Sequence, residues 1–495
     1  MMNGRKIPTL SKSRYLAGLQ CPLRLWHQCY SPELASEISP FQQALFDTGH
    51  AVGRLATSLF PGGVSVETDP LRHEEAVRTT RRAMEDPAVK AIYEAGFLEN
   101  DVRVKVDILG RLQGDKWNVI EVKSSTKVKP EHIPDVGIQY HVLKEAGLEV
   151  NRVFLMHLNN QYVYDGGELD VQNLFLCSDL TEEALSNQTV IPLVLTQLRN
   201  MLARPAPPEI FPSRICSRPH ACEFWEHCRK DMPEHPVWTL SGISQKKVYE
   251  LTRLGIADIR DIHESFSLGQ IQNRIRTCVK KNEAYTSAEL KHHLERMKHP
   301  IHFLDFETLG LAIPRYPGTS PYQSIPFQWS DHVLRKDGTV EHREYLCCED
   351  KDPREELTAA LLDALGGRGS IVTYTNYEES VIKGLAEALP HHRRRLLATL
   401  ARIKDLHKMI SKHYYHPGFR GSFSLKAVAP ALLPEMSYEN LAVHEGQQAG
   451  LAYLRMIDPA TTPEEKEGIE KALLAYCGRD TLVMVKVRER LLKSF

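Results

Sequence analysis

Between residues 102 and 111, in "VRVKVDILGR", valine recurs at every second position before the run closes in Ile-Leu. A period of two puts Val102, Val104 and Val106 on one face of a strand and Arg103, Lys105 and Asp107 on the other. "WNVIEVKSS" follows a Gly-Asp turn, so the pair predicts a hairpin, with Glu121 and Lys123 sharing a face of its second strand. Elsewhere the period lengthens. "FQQALFDTGHAVGRLATSLF" spaces its apolar residues for a helix, and "LSKSRYLAGLQCPLRLW" sets a serine before such a run, a helix-start signal. "IPDVGIQYHVLKEAG" predicts a helix closing at Gly147, and "NRVFLMHLN" a short buried strand. The order helix–strand–strand–helix–strand implies an α/β core.

Residues 201–237 are rich in proline and predict loops. "LSGISQKKVYELTRLGIADIRDI" (240–262) predicts two short helices joined by "LGI". From about residue 298 a second α/β pattern begins, with strands expected at "IHFLDFETLG", "GTVEHREYLC" and "GSIVTYTNY". The tail predicts one long helix, with Thr462 as N-cap, Pro463 in the first turn and Glu465 at the capping-box position. Three domains are expected: 1–235, a helical linker at 236–296, and 297–495.

Charge narrows the picture little. The 495 residues hold 62 basic and 63 acidic side chains, a formal charge of -1. A nucleic-acid binder often carries an excess of Lys and Arg, so any basic groove here is expected to be local. No apolar run approaches the roughly 18 residues of a membrane span, and the first residues carry no apolar leader pattern. No membrane partner is expected, and the expected compartment is the cytoplasm, where the ten cysteines would be thiols or ligands rather than disulfides.

The hairpin carries the first candidate chemistry. Asp107 and Glu121 would meet across adjacent strands, with the Lys123 ammonium beside them. Two close carboxylates favour a divalent cation between them, and Mg²⁺ prefers such oxygen ligands. The alternative is a solvated polar face. With the helix after them, these residues resemble the PD-(D/E)XK nuclease core of RecB-type nucleases, Asp107 as first acid and "EVK" as the D/E-x-K element. The resemblance implies that Gln139, in "GIQYHVLKEAG", helps place substrate or metal, and offers Glu94 as an upstream acid. Many relatives carry a metal-binding His in G-x-x-x-H; here Gly53 stands at that position, and the nearby His50 is not given the role.

"CSRPHACEFWEHC" repeats cysteine at a spacing of six: Cys216, Cys222 and Cys228. Six helical residues turn about 600°, so the segment must wrap around whatever it holds. Zinc knuckles use tighter pairs; three loosely spaced thiolates with a distant fourth suit an iron–sulfur cluster. The layout resembles CRISPR-associated RecB-type nucleases and the AddB helicase–nuclease subunit, with one cysteine before the nuclease core and three after it. That resemblance implies a [4Fe–4S] cluster on Cys21, Cys216, Cys222 and Cys228. Cys29 is the rival fourth ligand, structural zinc the rival filling, and unliganded core thiols the remaining alternative.

A second constellation follows. "DFET" puts Asp305 and Glu307 on one strand face, expected at the strand's end. "YCGRDT" places Tyr476 and Asp480 at i and i+4, on one helix face. Three or four acids around two cations would make a two-metal phosphodiester site. In this order the motifs resemble the DEDDy 3′–5′ exonucleases of the DnaQ-like, RNase H-like fold. "YTNYEESVI" resembles the second motif, with Glu378 in place of its Asp. The resemblance implies a water-orienting Tyr476, a supporting Asp405 and a phosphate contact at Lys426. The 240–262 segment resembles a helix–hairpin–helix with Ser244 in place of a glycine, where Lys246 and Lys247 would suit a phosphate. "HHRRR" (391–395) starts a basic helix that by itself reads as a solvated face and in a nuclease would track the phosphate backbone.

The expectation is therefore a multidomain α/β protein: a restriction-endonuclease-like PD-(D/E)XK core and an RNase H-like mixed sheet, joined by a small helical module. The implied activity is metal-dependent DNA cleavage in repair, processing or phage defence. Asp107 and Glu121 would hold Mg²⁺ or Mn²⁺ at one site and Asp305, Glu307 and Asp480 at the other. The partner would be single-stranded or free-ended DNA. An RNA-preferring exonuclease and a nucleic-acid-binding scaffold with inactive sites are the alternatives.

Overall fold

The alternation at 102–111 becomes a strand with its valines buried and Arg103, Lys105 and Asp107 partly exposed. The computed structural model describes residues 7–66, 72–436 and 446–495. The first six residues, on which the expectation about a leader partly rests, lie outside the described residues. The chain divides into two compact units, Met1–Met232 with Leu311–Tyr322, and Pro233–Gly310 with Gln323–Phe495. Both are α/β.

The first unit holds a seven-stranded mixed sheet: β1 (Leu10–Ser11), β2 (Gly63–Ser65), β3 (Ala91–Glu99), β4 (Val102–Arg111), β5 (Trp117–Lys123), β6 (Val150–Leu158) and β7 (Phe175–Asp179). Its order is β2-β3-β4-β5-β6-β7, with β1 pairing β4. The β4–β5 hairpin turns through Gly114 and Asp115, both at positive φ. The helix His132–Glu145 buries Val136, Val142 and Leu143 in one core with Val104, Val119 and Val153. Each such side chain contributes about 1.5–3 kcal/mol when fully buried. Ahead of the sheet, Ser11 caps the helix Lys12–Gln20 by accepting from the Arg14 N–H at 3.2 Å. Cys21 then leaves the helix in an extended conformation, as the residue before a proline tends to. A new helix, Pro22–Tyr30, starts at once.

The second unit holds β8 (Tyr285–Thr286), β9 (Ile301–Gly310), β10 (Ser324–Leu334), β11 (Val340–Leu346), β12 (Ser370–Thr373), β13 (Ile403–Asp405) and β14 (Tyr414–Tyr415). Five form a mixed sheet in the order β11-β10-β9-β12-β13; β8 pairs with β14. β9, β10 and β11 are antiparallel neighbours, while β12 runs parallel to β9 and β13. β10 is the longest of the strands the periodicity did not predict. It is buried along nearly its whole length on both faces, so it shows no alternation to read.

The helices of 236–296 fall within the second unit rather than in a module of their own. Arg274 donates to the carbonyls of Lys412 and Ser411, and Arg488 to that of Leu294. Residues 311–322 belong to the first unit, where Ala312 packs in the cluster of Val52, Ile108 and Met156. The long helix Pro463–Leu492 starts at the expected Thr462 cap, which accepts from the Glu465 N–H at 3.2 Å, but the Glu465 side chain pairs with Arg455 instead of closing a capping box. Among the described residues no helix is long and apolar enough to cross a membrane.

Candidate functional site

Three clusters gather the predicted residues. The first lies where the β4–β5 ladder stops. Its paired residues run from Arg111–Trp117 to Ile108–Ile120. At the next position the Asp107 carboxylate, through Oδ2, accepts the Val122 N–H at 2.7 Å. Glu121 beside it is buried. Its Oε1 accepts from Lys123 Nζ at 2.7 Å and Lys12 Nζ at 2.8 Å, and its Oε2 from Gln139 Nε2 at 2.8 Å. Asp135, one helical turn before Gln139, accepts from Lys123 at 2.6 Å and Gln139 at 3.1 Å, and Lys12 stands 3.2 Å away.

The charges sort themselves by environment. Burial, then the Glu121 charge, pushes the Asp107 carboxyl up to about 7. Burial also works against the Glu121 carboxylate, but the Lys12 and Lys123 ammoniums outweigh it and hold the group well below the usual range. The same attraction, from Glu121 and Asp135, overcomes burial at Lys123 and raises its pKa. Glu121 is thus the permanent anion and Asp107 the group that a bound cation would ionise.

Lys12 and Asp135 were not foreseen. Asp135 could have been found as the i−4 neighbour of Gln139; nothing near Lys12 in the sequence marks it. Glu94 does not join the cluster. It sits exposed at φ 56 in β3, where the ladder skips from Tyr93–Ile108 to Ala95–Val106, and pairs with Lys105 at 3.9 Å. His50 is exposed on the helix Pro40–Thr57.

The second cluster forms beside β9. β12 pairs β9 no further than Val372–Phe303, whereas β9 continues to Gly310. Asp305 and Glu307 therefore lie within the strand rather than at its end, on a stretch that β12 does not cover. Helix starts and helix faces bring the rest. Glu378 is in the first turn of Tyr377–Ala388, and Tyr476, Cys477 and Asp480 project from the long helix. The Tyr377 hydroxyl ties that first turn to Thr308 and, at 2.9 Å, to Ser324. Donor atoms of Asp305, Glu307 and Cys477 lie within 4.8 Å of one another.

This cluster carries excess negative charge. Burial first, then Asp480, Glu307 and Glu378, pushes the Asp305 carboxyl far above its usual range. Burial and Asp480 push Glu307 up to about 8 against the opposing Lys426 ammonium, and burial pushes Glu378 up to about 7. Glu378 Oε2 is buried without a hydrogen-bond partner. Buried carboxylates driven to keep their protons, with an orphaned oxygen among them, are the donor set a hard divalent cation completes. Burial and the same acids also raise Tyr476, which keeps its phenolic proton; Lys426 Nζ stands 5.3 Å from its ring. Asp405 caps the helix Leu406–His413, accepting from the Lys408 N–H at 2.7 Å, and adds its charge to the field at Glu378.

The four cysteines form the third cluster. Cys21, Cys216, Cys222 and Cys228 line one cavity with Leu23, Arg24 and Phe211. Cys29 packs instead against the sheet core. Burial raises the thiols of Cys21 and Cys228 and pushes Cys222 up to about 11. Polar side chains pin the two segments together around the cavity. Gln20 Nε2 donates to the carbonyls of Ile215 (2.7 Å) and His220 (2.8 Å), while Arg24 (2.8 Å) and Gln28 (2.6 Å) donate to Glu223. Among the described residues, the donor groups drawn within 4.8 Å are Asp305–Glu307–Cys477 and Glu355–His391–His392, neither containing these thiols.

Several of the remaining basic candidates are engaged within the chain. Ser244 caps the helix Gln245–Arg253, and Lys247 Nζ donates to the Ser267 carbonyl at 2.6 Å. His391 and His392 meet Glu355, and Arg395 meets Asp363.

Residues 302–424 match a family model described as "Domain of unknown function (DUF2779)". That span includes Asp305, Glu307 and Glu378 and stops before Lys426, Tyr476 and Asp480. No curated protein and no solved structure matches the chain.

Proposed function

We propose that this protein is a metal-dependent nuclease with two phosphodiesterase sites, a RecB-type site and an RNase H-like 3′–5′ exonuclease site, acting on single-stranded or free-ended DNA. The observation that carries the reading is the second cluster. Asp305, Glu307, Glu378 and Asp480 come from one strand and two helices, share one electrostatic field, and leave a buried oxygen unpartnered. The mixed five-stranded sheet beneath them fits the RNase H-like reading. The antiparallel hairpin with Asp107, Glu121 and Lys123, and Gln139 on the following helix, fits the PD-(D/E)XK reading.

Asp305, Glu307 and Asp480, with Glu378, would hold Mg²⁺ or Mn²⁺ at one site, and Asp107 with Glu121 at the other. Bound there, the cations supply an acidified water and charge stabilisation at the phosphoryl oxygens. The chain's own groups do the rest. The protonated Tyr476 hydroxyl orients the attacking water, and Lys426 attracts the phosphate. Lys123 stabilises developing negative charge at the first site, and Gln139 keeps the Glu121 carboxylate aimed. The cavity lined by Cys21, Cys216, Cys222 and Cys228 would hold a [4Fe–4S] cluster that fastens the ends of the first unit.

The test is cleavage of single-stranded DNA, free-ended duplex DNA and RNA with Mg²⁺ or Mn²⁺. Wild type is compared with Asp107→Ala, Asp305→Ala and the double variant. Loss of cleavage in the double variant is expected, with each single variant losing one mode. A double variant that cleaves like wild type overturns both assignments. Binding without turnover by wild type replaces them with a nucleic-acid-binding scaffold.

A further inference from the structure

We propose that the first site takes a single divalent cation, the Lys12 ammonium supplying the positive charge that a second would bring. The inference rests on the nuclease reading of that site. Lys12 Nζ lies 2.8 Å from Glu121 Oε1 and 3.2 Å from Asp135 Oδ1, so it bridges carboxylates from a strand and a helix. Its backbone is held at both ends. β1, just before it, pairs with β4 through Leu10–Val102 and Ser11–Arg103. The Ser11 cap then fixes the start of the helix that Lys12 opens.

Burying a charge is costly unless it is well paired, and Lys12 goes to the most buried part of the acidic site, keeping 21% of its side chain exposed. An ammonium has three N–H donors. One is used by Glu121, and Asp135 lies 3.2 Å away as an ion pair, which leaves capacity for a phosphate oxygen.

The charge count agrees. Asp107, Glu121 and Asp135 carry three negative charges when ionised, and Lys12 and Lys123 two positive ones. One divalent cation and one bridging phosphodiester bring the site to neutrality. A second divalent cation would leave two uncompensated positive charges with Lys12 in place, and one with Lys12 neutral. The other cluster contrasts with this one: the donors of Asp305, Glu307 and Cys477 lie within 4.8 Å, and Glu378 adds an oxygen without a partner.

The experiment counts Mn²⁺ by titration calorimetry on the full chain, with the second site silenced by Asp305→Asn, Glu307→Gln and Asp480→Asn. One ion per chain is expected, lost on adding Asp107→Ala. Lys12→Ala should raise the count to two and Lys12→Arg should keep it at one. Lys12→Gln replaces Lys12→Ala if the latter does not fold by circular dichroism. Two ions with Lys12 in place, or one ion in both neutral variants, overturns the inference while leaving the nuclease reading standing. No ion with or without Asp107 overturns the metal-dependent reading of this site, and the inference with it.

Discussion

Gln139 donates its side-chain amide to Glu121 Oε2 at 2.8 Å and reaches Asp135 Oδ1 with the same nitrogen at 3.1 Å. It is wholly buried, on the turn of helix that faces β5. Gln139→Ala should leave a buried carboxylate oxygen short of a donor, at about 1–3 kcal/mol. Loss of such an orienting partner should also weaken Mn²⁺ binding at the first site by roughly 10–100-fold. Gln139→Glu should be worse, because it sets a third carboxylate against Glu121 and Asp135. Calorimetric titration of both variants checks the order; equal affinity in all three proteins would remove the orienting role.

The raised carboxyls predict a pH dependence for the metal-free protein. Asp107 and Glu378 are pushed up to about 7 and Glu307 up to about 8. Unfolded, these groups release their protons near pH 4, so between there and pH 8 the native state binds more protons. Stability therefore falls as pH rises across that window, and Asp305, pushed far above its usual range, adds to the fall. Glu121, held far below the usual range, acts in the opposite sense, but only up to about pH 5.5, where its unfolded-state carboxyl has released its proton. In EDTA, Tm should fall by roughly 5 °C between pH 5.5 and 8.5. Mn²⁺ should restore most of the loss at pH 8.5, since it binds the ionised form. A flat melting profile would contradict the charge state assigned to both sites.

Anaerobically purified protein should be brown and carry about four irons per chain. Cys21→Ser, Cys216→Ser, Cys222→Ser and Cys228→Ser should each lose iron and lower the melting temperature of the first unit. Cys29→Ser should retain both, because Cys29 packs against the sheet core rather than lining the cavity. Colourless protein loaded with zinc would replace the cluster with a zinc site.

Local chemistry made much of this legible. The hairpin at 102–123 was readable because one buried face imposes strict alternation, and the Gly-Asp turn marks its reversal. The long terminal helix was readable from Thr462, Pro463 and Glu465, whose capping geometry depends on neighbours within one turn. β10 escaped because Gln328, Ser330 and Asp331 are buried along with its apolar residues, which removes the polar–apolar signal. The place of Asp305 and Glu307 within β9 was also hidden, since it depends on where β12 stops pairing.

The sequence by itself determined which residues could do chemistry: the acids on the β4–β5 hairpin, the acids of "DFET" and of the last helix, and the cysteine trio. Strand period, helix period and caps act over a few residues, so they survive in one dimension. Tertiary structure alone decided which of those groups share a field. It set Lys12 against Glu121 across 109 positions and brought Gln20 to Ile215 across 195. A buried charge is stabilised by whatever packing places within a few ångströms of it, and that distance is a property of the fold, not of chain order.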